Sequence, residues 1–316
     1  MAAEGEVVKT SPSQVVTPLR ASLQGLAVGD AFGTMIDGLG DKLTKYATKR
    51  LVSTTLPWKW TDDTAMACSI VEQLERDGSI DPDVLAASFA RRFRQDPTRG
   101  YGAGAHDLLT RVAAGASWRE EARGLFRGAG SFGNGAAMRA APIGALFASN
   151  LERVRHEALL SAEPTHAHPD GAAGAVAVAI AASLALLHAP REQFIAEVAR
   201  WTPPSRTRAK LYRANELGLE FDVVFAGEEL GTGTNVTSQD TVPFAVWCAA
   251  RHLSSYEDAM WTATAHPGFE LSSNAMPISV IDRDTIGAIV GGIVACAVGV
   301  DGIPLLWRAA CEPLPV

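Results

Sequence analysis

The sequence predicts an all-α fold, a single domain of many helices, and three observations point there. Apolar residues recur at helical spacing: Met66, Ile70, Val71 and Leu74 fall on one face, as do Leu85, Phe89 and Phe93. Strand signals are sparse. Leu51–Thr55 and Val236–Thr237 are the short extended candidates, nothing alternates for long, and no β-α-β rhythm appears. Two apolar stretches, Gly171–Leu187 and Ile286–Val300, are built from alanine and glycine, as suits helices buried on all sides at a protein's centre.

The size fits this reading. The chain has 316 residues, 47% hydrophobic and 20% charged, enough to bury a full core. Its 28 Lys and Arg against 35 Asp and Glu leave a formal charge of −7, with no basic excess to neutralise a phosphate backbone, so general nucleic-acid binding is not expected. Cys68, Cys248, Cys296 and Cys311 are widely spaced with no CxxC pair, which points to reduced thiols and a cytoplasmic protein.

Taken in order, residues 1–18 carry Glu4, Glu6 and Lys9 among small and polar residues. Lacking an apolar run, they read as a flexible leader before a domain spanning 19–316. Breakers then punctuate the helical pattern near Trp58 and at 95–104, 128–135, 163–171, 201–206 and 227–240. Ser117–Phe126 opens with a serine cap and has Glu120 and Glu121 three and four positions on, a helix start. The two apolar stretches are 17 and 15 residues long, short of the roughly 20 that a membrane span needs, so no membrane segment is expected.

Two helix starts carry more oxygen than capping requires. Thr61, Asp62, Asp63 and Thr64 precede the amphipathic run from Ala65, and Asp282, Asp284 and Thr285 precede the apolar run from Ile286. One carboxylate or hydroxyl caps a helix. Two carboxylates with threonines form hard oxygen ligands of the kind that Mg²⁺, Mn²⁺ or Ca²⁺ prefers. If the two starts converge, four carboxylates face one point, and their mutual repulsion calls for divalent cations; two independent caps are the alternative.

Gly128–Gly133 satisfies G-x-G-x-x-G, and Glu152 lies near the acidic spacing of a dinucleotide fold, but no strand precedes the loop and no parallel sheet follows. What remains is a glycine loop opening a helix, with N–H groups and the Asn134 amide available to a phosphate or diphosphate. His166-Ala167-His168 lacks the further ligands of a zinc site, so His166 is better placed to hydrogen-bond a substrate. Asp37 follows a glycine-punctuated acidic segment, Gly29–Gly33, and Tyr101 sits in a loop where it could stack on a base. Neither a P-loop nor a G-x-S-x-G elbow occurs.

In this order the motifs GLAVGDAFG (25–33), WTDDTAM (60–66), RGYGAG (99–104), GSFGNGAAMRAAPIG (130–144), THAHPDGAAGA (165–175), DTVPFAVW (240–247) and DRDTIGAIVGGI (282–293) resemble the ADP-ribosylglycohydrolase family over nearly the whole chain. The resemblance implies a compact orthogonal bundle of helices around a binuclear centre, two Mg²⁺ with Mn²⁺ as the alternative, held by Thr61, Asp62, Asp63, Asp282, Asp284 and Thr285. It implies an ADP-ribose-containing substrate, with Ser131, Phe132, Gly133, Asn134 and Gly135 around its diphosphate and His166 beside them. The activity implied is Mg²⁺-dependent hydrolysis of the bond between ADP-ribose and a protein side chain or small acceptor, with Asp37, Asp62 or Asp63 managing the proton. Val280-Ile281 stands where the family usually has Gly-Gly, which bears on how Asp282 is presented. Two other readings stay open: an inactive ADP-ribose binder, and a metal-dependent phosphohydrolase acting on the diphosphate.

Overall fold

Pro18 fills the first helical turn and Thr17 accepts the Arg20 N–H, so the chain enters α1 (Pro18–Asp37) with its first orphan donors met. The computed structural model describes residues 16–265 and 281–315, so Met1–Val15 of the expected leader, with Val280 ahead of the late motif, lie outside the described residues. Along the rest of the chain follow α2 (Leu43–Lys49), α3 (Asp62–Asp77), α4 (Pro82–Gln95), α5 (Ala103–Ala113), α6 (Trp118–Gly128), α7 (Ala141–Leu146) and α8 (Leu151–Ala162). Then come α9 (Pro169–Leu186), α10 (Arg191–Trp201), α11 (Arg206–Leu217), α12 (Val223–Leu230), α13 (Ser238–Arg251), α14 (Tyr256–Thr264), α15 (Arg283–Val298) and α16 (Leu305–Ala310). The fold is all-α, as the periodicity predicts.

The extended candidates form no strand among the described residues. Leu51–Thr55 stays unpaired, and Thr237 makes only an isolated bridge to Gly133. Both alanine-rich stretches are helices at the centre. α9 is, by length and composition, apolar enough to cross a membrane, yet 83% of it is buried inside the protein.

The packing at the centre is set by missing side chains. Gly25, Gly29 and Gly33 recur every four residues along one stripe of α1 and meet Gly291, Gly287 and Arg283 of α15 in reverse order, so the helices run antiparallel. A Cβ added at Gly25, Gly29 or Gly33 would collide with the carbonyl oxygen of Gly291, Gly287 or Arg283 respectively, and one at Gly287 or Gly291 would strike α1 in return. Backbone therefore lies against backbone. The contact is pinned by Ser22 Oγ donating to Gly292 O (2.9 Å) and by the buried Tyr256 hydroxyl donating to Gly25 O (2.6 Å).

A second brace fixes the approach to α3. Phe32 of α1 stacks on Trp307 with centroids 4.4 Å apart and meets Trp261 edge-on at 5.0 Å. The chain end then pairs with the segment ahead of α3: Trp58 N donates to Ala310 O (2.8 Å), and Glu312 N donates to Trp58 O (2.9 Å). Arg99 lies over the Trp60 ring at 3.7 Å and donates to both Glu312 carboxylate oxygens, at 2.7 and 3.0 Å.

Because the α1–α15 contact has no room for one methyl group, Gly29→Ala lowers stability by roughly 2 kcal/mol or more. Gly124→Ala, at an exposed helical site with open space around it, is neutral or stabilising by about 0.5–1 kcal/mol. Urea unfolding of the two variants checks this; equal stabilities would remove the close crossing as the organising contact.

Candidate functional site

The glycine stripe delivers an acid to the middle of the protein. Asp30, next to Gly29, is fully buried and its carboxylate accepts five bonds: from Thr61 N (3.1 and 2.9 Å), Thr61 Oγ1 (3.0 Å), Thr64 N (3.1 Å) and Thr64 Oγ1 (2.6 Å). It thereby satisfies donors at the start of α3 from outside the helix. Burial first, and then the charge of Asp284, push its pKa up to about 8, against the lowering effect of those bonds.

Around it the two predicted helix starts meet. Thr61 is the N-cap of α3, with Asp62 and Asp63 in its first turn, and the Asp62 N–H is held by Arg99 O at 2.7 Å. Thr285 Oγ1, at the start of α15, donates to Asp63 Oδ1 (3.2 Å), and Thr61 Oγ1 lies 2.8 Å from Asp63 Oδ2. Asp282 caps α15 by position, yet its side chain caps nothing: Oδ2 accepts the Asn134 amide at 2.6 Å. Its backbone N–H donates to Thr232 O (3.1 Å), and Gly233 leaves no space beside it for a Cβ. Two independent caps are therefore not what these residues form.

Five carboxylates share this site. Asp30 and Asp63 are buried, while Asp62, Asp282 and Asp284 are half-buried. Burial, followed by Asp284, raises Asp62 to about 7; burial raises Asp63 strongly, with Asp30, Asp284, Asp62 and Asp282 adding to it; burial and then Asp284 raise Asp282. Among the described residues no three His, Cys, Asp or Glu side chains already converge on one point. The acids instead hold threonine hydroxyls and one another's field. The donor set is all hard oxygen with a surplus of negative charge, which fits Mg²⁺ or Mn²⁺ and not a soft metal.

Asp37, the last residue of α1, accepts from Arg283 at 2.8 Å, while Arg283 Nε donates to Thr264 O at 2.7 Å. Burial raises the Asp37 pKa and the Arg283 contact opposes that rise. A guanidinium placed between Asp282 and Asp284 in sequence is thus turned away from them toward the end of α1.

The glycine loop differs from expectation in one respect: no helix opens on it. Residues 134–139 form successive turns on the Asn134 carbonyl, and α7 starts at Ala141 beside Pro142, which has no N–H to continue an earlier ladder. The Asn134 amide is tied to Thr241 and Asp282, at 2.9 and 2.6 Å, so it links the loop to the acid cluster. Gly133 N donates to Ser131 Oγ at 3.2 Å. The His166 ring lies directly behind the loop, within 3.1 Å of where a Gly135 Cβ would stand. Arg139, fully buried, donates to Thr165 Oγ1 (2.9 Å), and that hydroxyl is 2.7 Å from His166 Nδ1. The chain from Arg139 through Thr165 to Nδ1 anchors the ring behind the loop, with Nε2 on the side of Gly133 and Gly135. Burial and the Arg139 charge hold the His166 pKa down at about 3, so the ring is neutral.

Tyr101 is not available to a base. Its ring is buried against Phe93, with centroids 5.1 Å apart at 84°, because 99–102 folds in over α4 and does not loop out. The open aromatic surface is Phe126, 53% exposed, 5.2 Å from Phe132, which in turn faces His168 at 5.6 Å. Phe126 and Arg127 hold left-handed backbone (φ 52 and 61) and break α6 before its end. The Ser117 cap also accepts no side-chain bond. Motif reading notes the segment that holds Asp30 without giving that acid a role, and it misses Phe126.

Comparison with known proteins places this geometry. The family model described as ADP-ribosylglycohydrolase matches residues 14–314. ADP-ribosylhydrolase ARH3 of Mus musculus is 31% identical over 283 residues, covering 80% of this chain and 73% of that protein. ADP-ribosylarginine hydrolase Tri1 of Pseudomonas putida is 25% identical over 309 residues, covering 94% and 75%. A solved structure titled ADP-ribosylglycohydrolase-related protein complex superposes with a TM-score of 0.63 at 25% identity, covering 93% of this chain and 92% of that one.

The raised carboxylates make metal-free stability depend on pH. Asp30, ordinarily near 3.8 and about 8 when folded, binds more protons folded than unfolded between those values, so stability falls as pH rises through that window. His166 acts oppositely between about 3 and its ordinary 6.5, because the unfolded state binds the proton. Above about 6.5 the carboxylates act unopposed. The melting temperature in EDTA is expected to drop between pH 6.5 and 8, Asp30→Asn to flatten the drop, and Mg²⁺ to restore more stability at pH 8 than at 6.5. A flat or rising profile in differential scanning fluorimetry would contradict this.

Proposed function

Since the chain belongs to the ADP-ribosylglycohydrolase family, we propose that it is a Mg²⁺-dependent hydrolase that releases ADP-ribose from a protein side chain or a small acceptor. The observation that carries this is the meeting of the α3 and α15 starts through Thr285 and Asp63, over the buried Asp30. Thr61, Asp62, Asp63, Asp282, Asp284 and Thr285 would hold two divalent cations, which when bound would supply neutralising charge and Lewis acidity toward the ribose hydroxyls and a water.

The chain's own groups divide the remaining work. Phe126 offers an exposed ring beside Phe132 for the adenine, and Ser131–Gly135 offers backbone and hydroxyl groups to the diphosphate. His166, kept neutral with Nε2 on the loop side, offers a hydrogen-bonding group without adding charge. Water oxygen attacks the anomeric carbon, the bond to the acceptor breaks, and its electron pair leaves with the acceptor, which is then protonated. Asp62 is the more open of the α3 pair and takes the water's proton; Asp37, ion-paired to Arg283, is the second candidate.

Peptides ADP-ribosylated on arginine or on serine, incubated with Mg²⁺ or Mn²⁺, test the reading and settle the linkage. Free ADP-ribose is the expected product, EDTA abolishes it, and Asp63→Asn lowers kcat by about 100-fold or more. Tight binding without turnover, or AMP and ribose phosphate as products, would overturn it.

A further inference from the structure

Away from the acid cluster, residues of α8, α10 and α11 line an open pocket of about 240 Å³, formed by Arg155, Arg200, Trp201 and Arg208 with Pro203 and Pro204. Three guanidinium groups around one small cavity run against the acidic balance of the whole chain, which is −7. Arg200 has a carboxylate partner, Glu197, at 2.7 Å. No ion pair among the described residues joins Arg155 or Arg208; the latter only donates to the Tyr212 hydroxyl at 3.1 Å. Two of the three positive charges are thus uncompensated.

A second observation points the same way. Arg155 Nε and the Trp201 indole Nε1 are both buried donors with no hydrogen-bond partner. Buried donors are normally satisfied, so this side of the pocket is short of acceptors; both nitrogens are closed to a ligand atom, and an acceptor from outside meets the remaining guanidinium N–H groups. The required acceptor is negative, carries several oxygens, and suits the forked geometry of guanidinium groups. A carboxylate has two oxygens to share among three arginines. A phosphate has three or four.

We propose that this cavity is a phosphate-binding site, separate from the glycine loop, that takes a phosphate monoester or pyrophosphate group. Arg155 and Arg208 provide the charge, and Trp201 and the prolines line the pocket beside them. A nucleotide or a free inorganic phosphate would bring the same group, and the two differ in what lies beyond it.

The test uses the full chain in divalent-free buffer, reading the Trp201 indole resonance in a ¹H–¹⁵N spectrum. Among seven tryptophans it is assigned by its loss in Trp201→Phe. Pyrophosphate and AMP are expected to shift this resonance and adenosine to leave it in place; AMP binding more tightly than pyrophosphate identifies a nucleotide as the source, and equal or weaker binding a bare phosphate. Arg155→Gln and Arg208→Gln should each weaken the effect at least about tenfold with the melting temperature unchanged. The substitutions lie on different helices, so either carries the test if the other fails to fold. A resonance unmoved by millimolar pyrophosphate, moved equally by adenosine, or shifted as in wild type in both variants would overturn the proposal.

Discussion

The close crossing of α1 and α15 is the contact on which the rest of the molecule depends. Only glycine at 25, 29 and 33 on one helix and at 287 and 291 on the other lets the two backbones touch. Antiparallel contact at that distance places Asp30, midway along α1, beside the first turn of α15, and the Phe32–Trp307 stack holds the segment leading into α3 against them. Each element alone offers one or two acids. The crossing makes them neighbours.

That proximity carries an electrostatic cost, which the fold meets in three ways. Threonine hydroxyls at 61, 64 and 285 and backbone N–H groups solvate the buried carboxylates in place of water. Protonation absorbs part of the remaining charge, as the raised pKa values of Asp30 and Asp62 describe. Fixed cations stand behind the site: Arg283 is turned toward Asp37, and Arg139 is buried where its charge lowers the pKa of Asp62. The same Arg139 braces His166 through Thr165, so one buried guanidinium serves both the acid cluster and the glycine loop.

Much of this was legible in the amino-acid order. Asp62-Asp63 and Asp282-x-Asp284 stand out because they exceed what helix capping needs, and α9 and α15 because their alanine and glycine run unbroken. The segment holding Asp30 stands out as glycine-punctuated and acidic, but nothing local gives Asp30 a role. Its signal lies in matching four-residue glycine spacings on helices some 250 positions apart, which acquire meaning only once the helices are paired. Tyr101 looked free because its loop is rich in glycine, but Phe93, in the last turn of α4, offers it a buried face. Phe126 sat inside a convincing amphipathic pattern; it is exposed by a left-handed turn that continues through Arg127 and Gly128, all at positive φ. Where local pattern and tertiary contact agree, sequence reading succeeds, and it fails where a long-range contact overrides the local preference.

The central proposal is that the α3 and α15 starts, brought together by the helix crossing, form a two-cation site. Anomalous diffraction from crystals grown with Mn²⁺ tests it most directly. Two peaks between Asp62–Asp63 and Asp282–Asp284, with the carboxylates rotated from the threonine hydroxyls onto the metal, are expected. A chain that crystallises with Mn²⁺ elsewhere, or with none between these residues, would contradict it.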